Sequence, residues 1–389
     1  MSLSPWPYFE ADEVDAVSAV LASGNVNYWT GENGRKFERE FADHCEADYA
    51  IALANGTVAL ELALEAAGIG AGDEVIVTPR TFIASASCVV RLGAVPVFAD
   101  VSPESQNLTP ESVEAVLTAG TRAIIAVHHA GWPCDMEGLM SLARERDLIV
   151  IEDCAQAHGA SYKGRPVGGL GHVAAFSFCQ DKIISTGGEG GMLVTNDERI
   201  WRRAWSIKDH GKDFDAVFRR KHEPGFRWLH ESFGTNLRMT EMQAVIGRLQ
   251  LAKLPLWTRR RHDNAMRIAD ALLDFPCMRV PMPGKGVEHA YYRLYGFVDP
   301  GALATGWDRD RIMAELQGHG VPCFSGSCPE IYNEKAFEHA GLRPAEALPN
   351  AASLGSTSLA FLVHPTLSED DLVAICQAID SVFSAATVN

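Results

Sequence analysis

Between Tyr49 and Thr195 the chain alternates short apolar runs with helix-like segments, and this alternation restricts the fold more than any other feature. The runs cover 49–53, 74–78, 95–101, 123–129, 148–153, 173–178 and 191–195. Segments with apolar residues at helical spacing separate most of them, at 57–67, 84–92, 110–119 and 137–146. Near-continuous apolar strands alternating with helices imply an α/β chain with a mostly parallel sheet covered on both faces. The last two runs are joined only by a Gly-rich break, which suits a local antiparallel pair. Ligands of such sheets sit beyond the carboxyl ends of the strands. The residues that follow each run are therefore the first candidates for chemistry.

The flanking segments read differently. Helical spacing appears at 10–23 and 35–45, around a turn-rich loop, 27–34, that reads NYWTGENG. After a helical stretch at 200–207, residues 208–235 are polar, aromatic and irregular, too long for a simple connector. They suit an active-site lid or a subunit contact. Residues 240–260 read as a helix kinked at Pro255, and a further long helix ends near Phe275. Strand patterns at 291–298 and 358–363 and a closing helix at 368–384 complete a smaller α+β unit. The 389 residues thus divide into a large domain, 1–255, and a small one, 256–389.

Composition removes several function classes. The net charge is −16 with no run of Lys or Arg, which argues against a nucleic-acid or acidic-membrane surface. No apolar stretch approaches the roughly 18 residues of a membrane span. The N-terminus has neither a basic nor an apolar leader segment, so no signal peptide is expected. Nine cysteines, an odd number without a C-x-x-C pair, read as free thiols of a reducing, cytoplasmic setting. No metal site is expected, because no carboxylate or thiol falls at ligand spacing around His128 and His129.

Three strand ends carry candidate chemistry. Run 173–178 leads through a polar break holding Lys182 into the glycines 187, 188, 190 and 191. An amine between a buried strand and closely packed backbone is desolvated, so its pKa is expected to fall and it can form Schiff bases. Ala54-Asn55-Gly56-Thr57 joins a run to a helix; Asn55 suits an N-cap, and a helix N-terminus is an anion site. Asp153 ends the run 148–153 inside IEDCAQAHGA. One of Glu152 and Asp153 can still be a solvated strand end, and Phe82, after run 74–78, can still be ordinary core.

These segments resemble the DegT/DnrJ/EryC1/StrS family of sugar aminotransferases, pyridoxal phosphate (PLP) enzymes of the aspartate aminotransferase fold (fold type I). The family's S-F-x-x-x-K followed by T-G-[ED]-G-G is matched by Ser177, Phe178, Lys182, Thr186, Glu189, Gly190 and Gly191. N-G-T-x-A-L is matched by Asn55, Gly56, Thr57, Ala59 and Leu60, E-D-x-A-Q-A by 152–157, and N-x-R-[ML]-[ST]-x-x-Q by 236–243. One departure is local: Gln180 stands where many members carry proline two places before the lysine, and Asp181 follows it.

The resemblance implies a seven-stranded large domain and a role for each matched residue. Lys182 would hold PLP as an internal aldimine and move the proton; Asp153 would pair with the pyridine nitrogen. Gln156 would bond the ring's phenolic oxygen and Phe82 would stack on the ring. Gly56, Thr57 and Ser177 would meet the phosphate, with Asn236 reaching it from a neighbouring subunit of a homodimer. His158 would be structural or would support these groups. Arg238 would bind an anion of the substrate or hold its own loop. Tyr28, Trp29 and Thr30 are candidates for substrate contact, as is the basic segment 208–227, which can equally be a solvated surface loop. The implied reaction moves an amino group from glutamate to a nucleotide-linked keto-sugar, first a 4-keto-6-deoxy sugar, then a 3-keto sugar. The alternatives are a cyclitol aminotransferase, a PLP sugar dehydratase, in which histidine replaces the lysine, and a non-catalytic PLP-binding regulator.

Overall fold

A computed structural model describes residues 3–387. Seven strands form the main sheet: β1 (Tyr49–Leu53), β2 (Glu74–Val77), β3 (Val95–Phe98), β4 (Thr121–Val127), β5 (Ile149–Asp153), β6 (Val173–Ser177) and β7 (Gly191–Thr195). Their order is β1-β7-β6-β5-β4-β2-β3. Every neighbouring pair is parallel except those of β7, which runs antiparallel to β1 and to β6. All seven predicted runs are therefore strands, and the last two do pair antiparallel. The chain reverses between them at Gly187 and Gly188, where φ is +83° and +117°, a region that favours glycine.

Side-chain alternation along the strands builds two cores. Ile51, Leu53, Val75, Val77, Ala123, Ile125, Ile151, Val173 and Leu193 bury on one face. The even-numbered Ala50, Ala52, Ala174, Phe176, Met192 and Val194 bury on the other, with Ile76, Ile124 and Val150. Helices α1 (Ala11–Ser23), α2 (Asn33–His44), α3 (Gly56–Ala66), α4 (Ala84–Arg91), α5 (Met136–Arg146) and α6 (Glu198–Lys208) precede or follow these strands. The helix expected over 110–119 shortens to Pro110–Glu114. Beyond it Thr118 turns the chain, bonding Glu74 and accepting the Gly120 N–H at 3.0 Å.

The helix expected over 240–260 and the one expected to end near Phe275 are one, α7 (Glu241–Leu273), which runs through Pro255. Thr240 and Gln243 cap its start reciprocally. Leu254 and Trp257, on either side of Pro255, are buried. That packing offsets the roughly 3 kcal/mol that an interior proline costs. α7 leads from α1 and α2 into the second unit. There β8 (Met278–Arg279), β9 (Leu294–Val298), β10 (Cys323–Phe324) and β11 (Ser358–Phe361) form an antiparallel sheet in the order β8-β9-β11-β10. It packs with α7 and the last helix, α8 (Glu369–Ala386), around Leu272, Leu294, Leu359, Ile375 and Phe383. The N-terminal segment straps the two units: Ser4 bonds Asp371, and Trp6 Nε1 donates to the Lys182 carbonyl at 3.0 Å.

Candidate active site

The parallel strands end on one edge of the sheet, and a cavity of about 1100 Å³ opens there. Gly56, Thr57, Phe82, Asp153, Gln156, Ser177 and Lys182 all line it. Register explains part of this meeting: Leu53 pairs with Gly191, and Gly191 with Ser177, so the ends of β1 and β6 lie in one row. The start of α3 presses into that row. A Cβ on Gly56 would meet the Ser177 Cβ at 2.6 Å, and one on Gly191 would meet the Asn55 carbonyl oxygen at 2.3 Å. Only glycine allows that approach. Asn55 Oδ1 caps α3 by accepting the Val58 N–H at 3.0 Å. The remaining N–H groups of the first turn are left for an anion.

Asp153 is buried at the end of β5. Its carboxylate accepts the Ser85 hydroxyl at 2.7 Å and the Ala155 N–H at 3.1 Å. Burial pushes this carboxyl above the ordinary range despite those bonds. Glu152 is neither a solvated strand end nor open to a ligand. It accepts His128 at 3.0 Å and the N–H groups of Gly168, Leu170 and Gly171. Gln156 Oε1 accepts the Ala130 N–H at 2.7 Å, which leaves the amide NH₂ to donate into the cavity. Phe82 is not core; it is 67% exposed on the cavity wall.

Lys182 Nζ lies 3.3 Å from Asp181 Oδ1 and 5.2 Å from the centre of the Tyr292 ring. Tyr292 donates its hydroxyl to the other oxygen of Asp181. Burial pulls the lysine pKa down, as the sequence suggests, but the Tyr292 phenol and the Asp181 carboxylate outweigh it and the net shift is upward. The expectation of a lowered pKa is thus corrected.

A model of the DegT/DnrJ/EryC1/StrS aminotransferase family matches residues 7–380. The chain belongs to this family. Among solved structures, the aminotransferase from Psychrobacter cryohalolentis is 58% identical, with a TM-score of 0.97 over 98% of this chain and 99% of that one. GDP-perosamine synthase of Escherichia coli O157:H7 is 35% identical over 92% of each chain. L-glutamine:2-deoxy-scyllo-inosose aminotransferase of Streptomyces fradiae is 39% identical over 82% of this chain and 77% of its own length. The protein is accordingly an enzyme, an aminotransferase of fold type I.

Within this family member the other predicted residues lie away from their own chain's cavity. Tyr28 is only 3% exposed: its hydroxyl donates to Glu38 at 3.1 Å and its ring lies under Lys208 Nζ at 3.8 Å. It has no free face for a base or sugar, which corrects that expectation. The half-buried Trp29 ring packs against Phe218, Trp205 and Lys212. Thr30 bonds the Asn27 carbonyl at 3.1 Å within the loop. Arg238 pairs with Asp209 at 2.9 Å, and Trp29 Nε1 donates to the same carboxylate at 2.8 Å. Asn236 is exposed beside them and bridges to Asp209. Of the basic segment, Lys208 is buried, and Lys212, Arg219 and Arg220 pair with Asp209, Asp215 and Glu231.

Two further expectations concern histidine and cysteine. Sequence spacing places no carboxylate or thiol near His128, yet His128, Glu152 and Cys154 meet within 4.8 Å. His128 Nδ1 accepts the Cys134 N–H and Glu152 is fully engaged. Burial pushes the Cys154 thiol up, so the cluster is packed core. His158 is held between Phe176 and Phe178, and burial lowers it to about 3, so it stands neutral. All nine cysteines are free. Ser85, Tyr292 and Arg293 also face this site and carry no sequence signal of their own.

Proposed function

We propose that this aminotransferase uses pyridoxal phosphate to move an amino group from glutamate to a nucleotide-linked keto-sugar, with a 4-keto-6-deoxy sugar as the first candidate. The observation that carries the reading is one cavity holding Lys182, Asp153 and the start of α3. The residues present fit the cofactor. The α3 N–H groups, the Thr57 and Ser177 hydroxyls and the glycine-dependent close approach suit a phosphate. A buried carboxylate whose charge burial disfavours gains from a basic ring nitrogen that takes a proton, which is what Asp153 would face. The Gln156 NH₂ suits a phenolic oxygen, and Phe82 offers a ring face. When bound, the cofactor supplies an electron-withdrawing ring and a carbonyl that takes up and returns the amine.

Lys182 would anchor the cofactor and, once free, hold and transfer a proton at Nζ. Asp181 and Tyr292 keep that atom at the cavity wall. The cavity exceeds the roughly 300–1000 Å³ of an ordinary ligand site, which supports a cofactor plus a bulky second substrate. Lysine at 182 favours transamination over the dehydratase reading. No described helix is long and apolar enough to cross a membrane, and the nine free thiols suit a cytoplasmic setting.

The fradiae relative, named for a cyclitol ketone and glutamine, makes the cyclitol reading the second to test. The experiment is a spectrum. Glutamate should bleach the cofactor absorbance of the holoenzyme, and a nucleotide-linked 4-keto-6-deoxy sugar should restore it. Glutamine and 2-deoxy-scyllo-inosose form the comparison arm. If small α-keto acids alone restore the colour, the enzyme is an amino-acid aminotransferase and the sugar reading fails. Lys182→Ala should remove both absorbance and turnover while the protein stays folded. A folded Lys182→Ala protein with normal turnover would overturn the whole assignment.

A further inference from the structure

Arg293 immediately precedes β9 and lines the reaction cavity. Its guanidinium carbon lies 4.9 Å from the centre of the Tyr292 ring and 5.8 Å from that of Phe324. Two aromatic rings thus restrict its planar fork. Lys182 Nζ sits 5.2 Å from the centre of the same Tyr292 ring, so the guanidinium and the reactive amine are neighbours across one side chain. The other cations of the cavity wall are paired, Arg91 with Glu61 at 2.6 Å and Lys182 with Asp181 at 3.3 Å. Among the described residues Arg293 forms no ion pair and no side-chain hydrogen bond. A charged neighbour is a second cation, the buried Arg261, whose pKa Arg293 helps to lower. Tyr292 and Phe324 supply ring faces and no charge.

A guanidinium held between rings and unpaired beside the reactive lysine suits a planar anion with two oxygens, which it can bind through two parallel N–H···O bonds. We propose that Arg293 is the carboxylate-binding residue of this site and receives a carboxylate of the substrate seated at Lys182. The inference rests on the aminotransferase reading above and adds to it the group that orients one substrate. A carboxylate reaches this position from the α-carboxyl of the amino donor, from the distal carboxyl of glutamate, or from an acid group on the keto substrate. The chemistry is the same in each case, and the substrates separate them.

The test compares the wild-type holoenzyme with Arg293→Gln and Arg293→Lys. KM and kcat are measured for glutamate, glutamine, a neutral nucleotide-linked keto-sugar and its uronic-acid counterpart. The dissociation constant of glutarate, a dicarboxylate without an amine, is measured by calorimetry. Arg293→Gln should raise KM for the carboxylate-bearing substrate about 10- to 100-fold, the scale of a lost charge-assisted hydrogen bond, with kcat within a few-fold. Arg293→Lys, which keeps the charge and loses the fork, should fall between. A rise for glutamate and glutamine together assigns the α-carboxyl. A rise for glutamate alone, with weaker glutarate binding, assigns the distal one. A rise for the uronic acid alone assigns the acceptor.

Wild-type KM values and glutarate binding in Arg293→Gln would overturn the proposal, as would a rise confined to the neutral sugar. If wild-type protein exchanges amine with neither donor, the proposed function itself fails, and the glutarate comparison still reads the carboxylate site. Unchanged cofactor absorbance and thermal unfolding in both variants separate these results from misfolding.

Discussion

Asp153 and Lys182 face one cavity under opposite influences. Burial pushes the Asp153 carboxyl up, against the Ser85 and Ala155 hydrogen bonds. In the proposed reaction a cationic partner would stabilise its charge, and Asp153→Asn would keep the shape while removing that charge. Turnover should fall on the order of 10²-fold or more, the scale of preorganised electrostatic groups, with the cofactor still held through Lys182. A near-normal rate would remove Asp153 from its role; Glu152, saturated by four donors, offers no substitute. At Lys182 burial lowers the pKa, and Tyr292 and Asp181 raise it further than burial lowers it. Asp181→Asn leaves burial with less opposition, so more of the amine is neutral at a given pH. Apoprotein mixed with pyridoxal phosphate across a pH series should then reach full cofactor absorbance at lower pH than wild type does. An unmoved profile would show that Asp181 does not control the amine.

The start of α3 depends on two close approaches. Gly56→Ala puts a Cβ 2.6 Å from the Ser177 Cβ, so the first turn must move away from β6. Overpacking of this kind costs typically about 1–3 kcal/mol. The expected result is a weaker cofactor dissociation constant by titration together with a lowered unfolding midpoint. Unchanged cofactor affinity would mean that the phosphate binds elsewhere. Legibility in the sequence followed the same division. The seven strands were readable because central parallel strands are continuous apolar runs, and the turns after them carry Asn55, Asp153 and Lys182. Local pattern misled where tertiary contacts decide: the helix from Pro110 ends at Glu114, ahead of the turn in which Thr118 bonds Glu74. Tyr292 was not legible at all. It reaches Asp181 from 111 positions away, and neither helical nor strand period connects such partners.

Across the whole molecule the predicted site residues form two groups that one chain does not unite. Gly56, Thr57, Phe82, Asp153, Gln156, Ser177 and Lys182 share the cavity. Asn236 and Arg238 gather with Trp29 around Asp209 outside it. The segment leading to them carries Phe226, Trp228 and Phe233 at 76%, 80% and 99% exposure. Aromatic surface of that kind suits an interface. A net charge of −16 gives no long-range pull on an anionic substrate, so any contact to its phosphates must be local. These features support a homodimer in which each chain's 236–238 segment completes its partner's cavity. Asn236→Asp, which sets a negative charge where a phosphate is expected, and Lys182→Ala should each be inactive alone. In a hybrid dimer one cavity would carry both substitutions and the other neither. Mixing, dissociating and reassembling the two inactive proteins should therefore restore part of the activity, measured as glutamate-dependent turnover. No recovery from a verified hybrid, or full activity from a demonstrated monomer, would make each cavity complete in its own chain, and a fully active Asn236→Asp would place that residue outside the reaction.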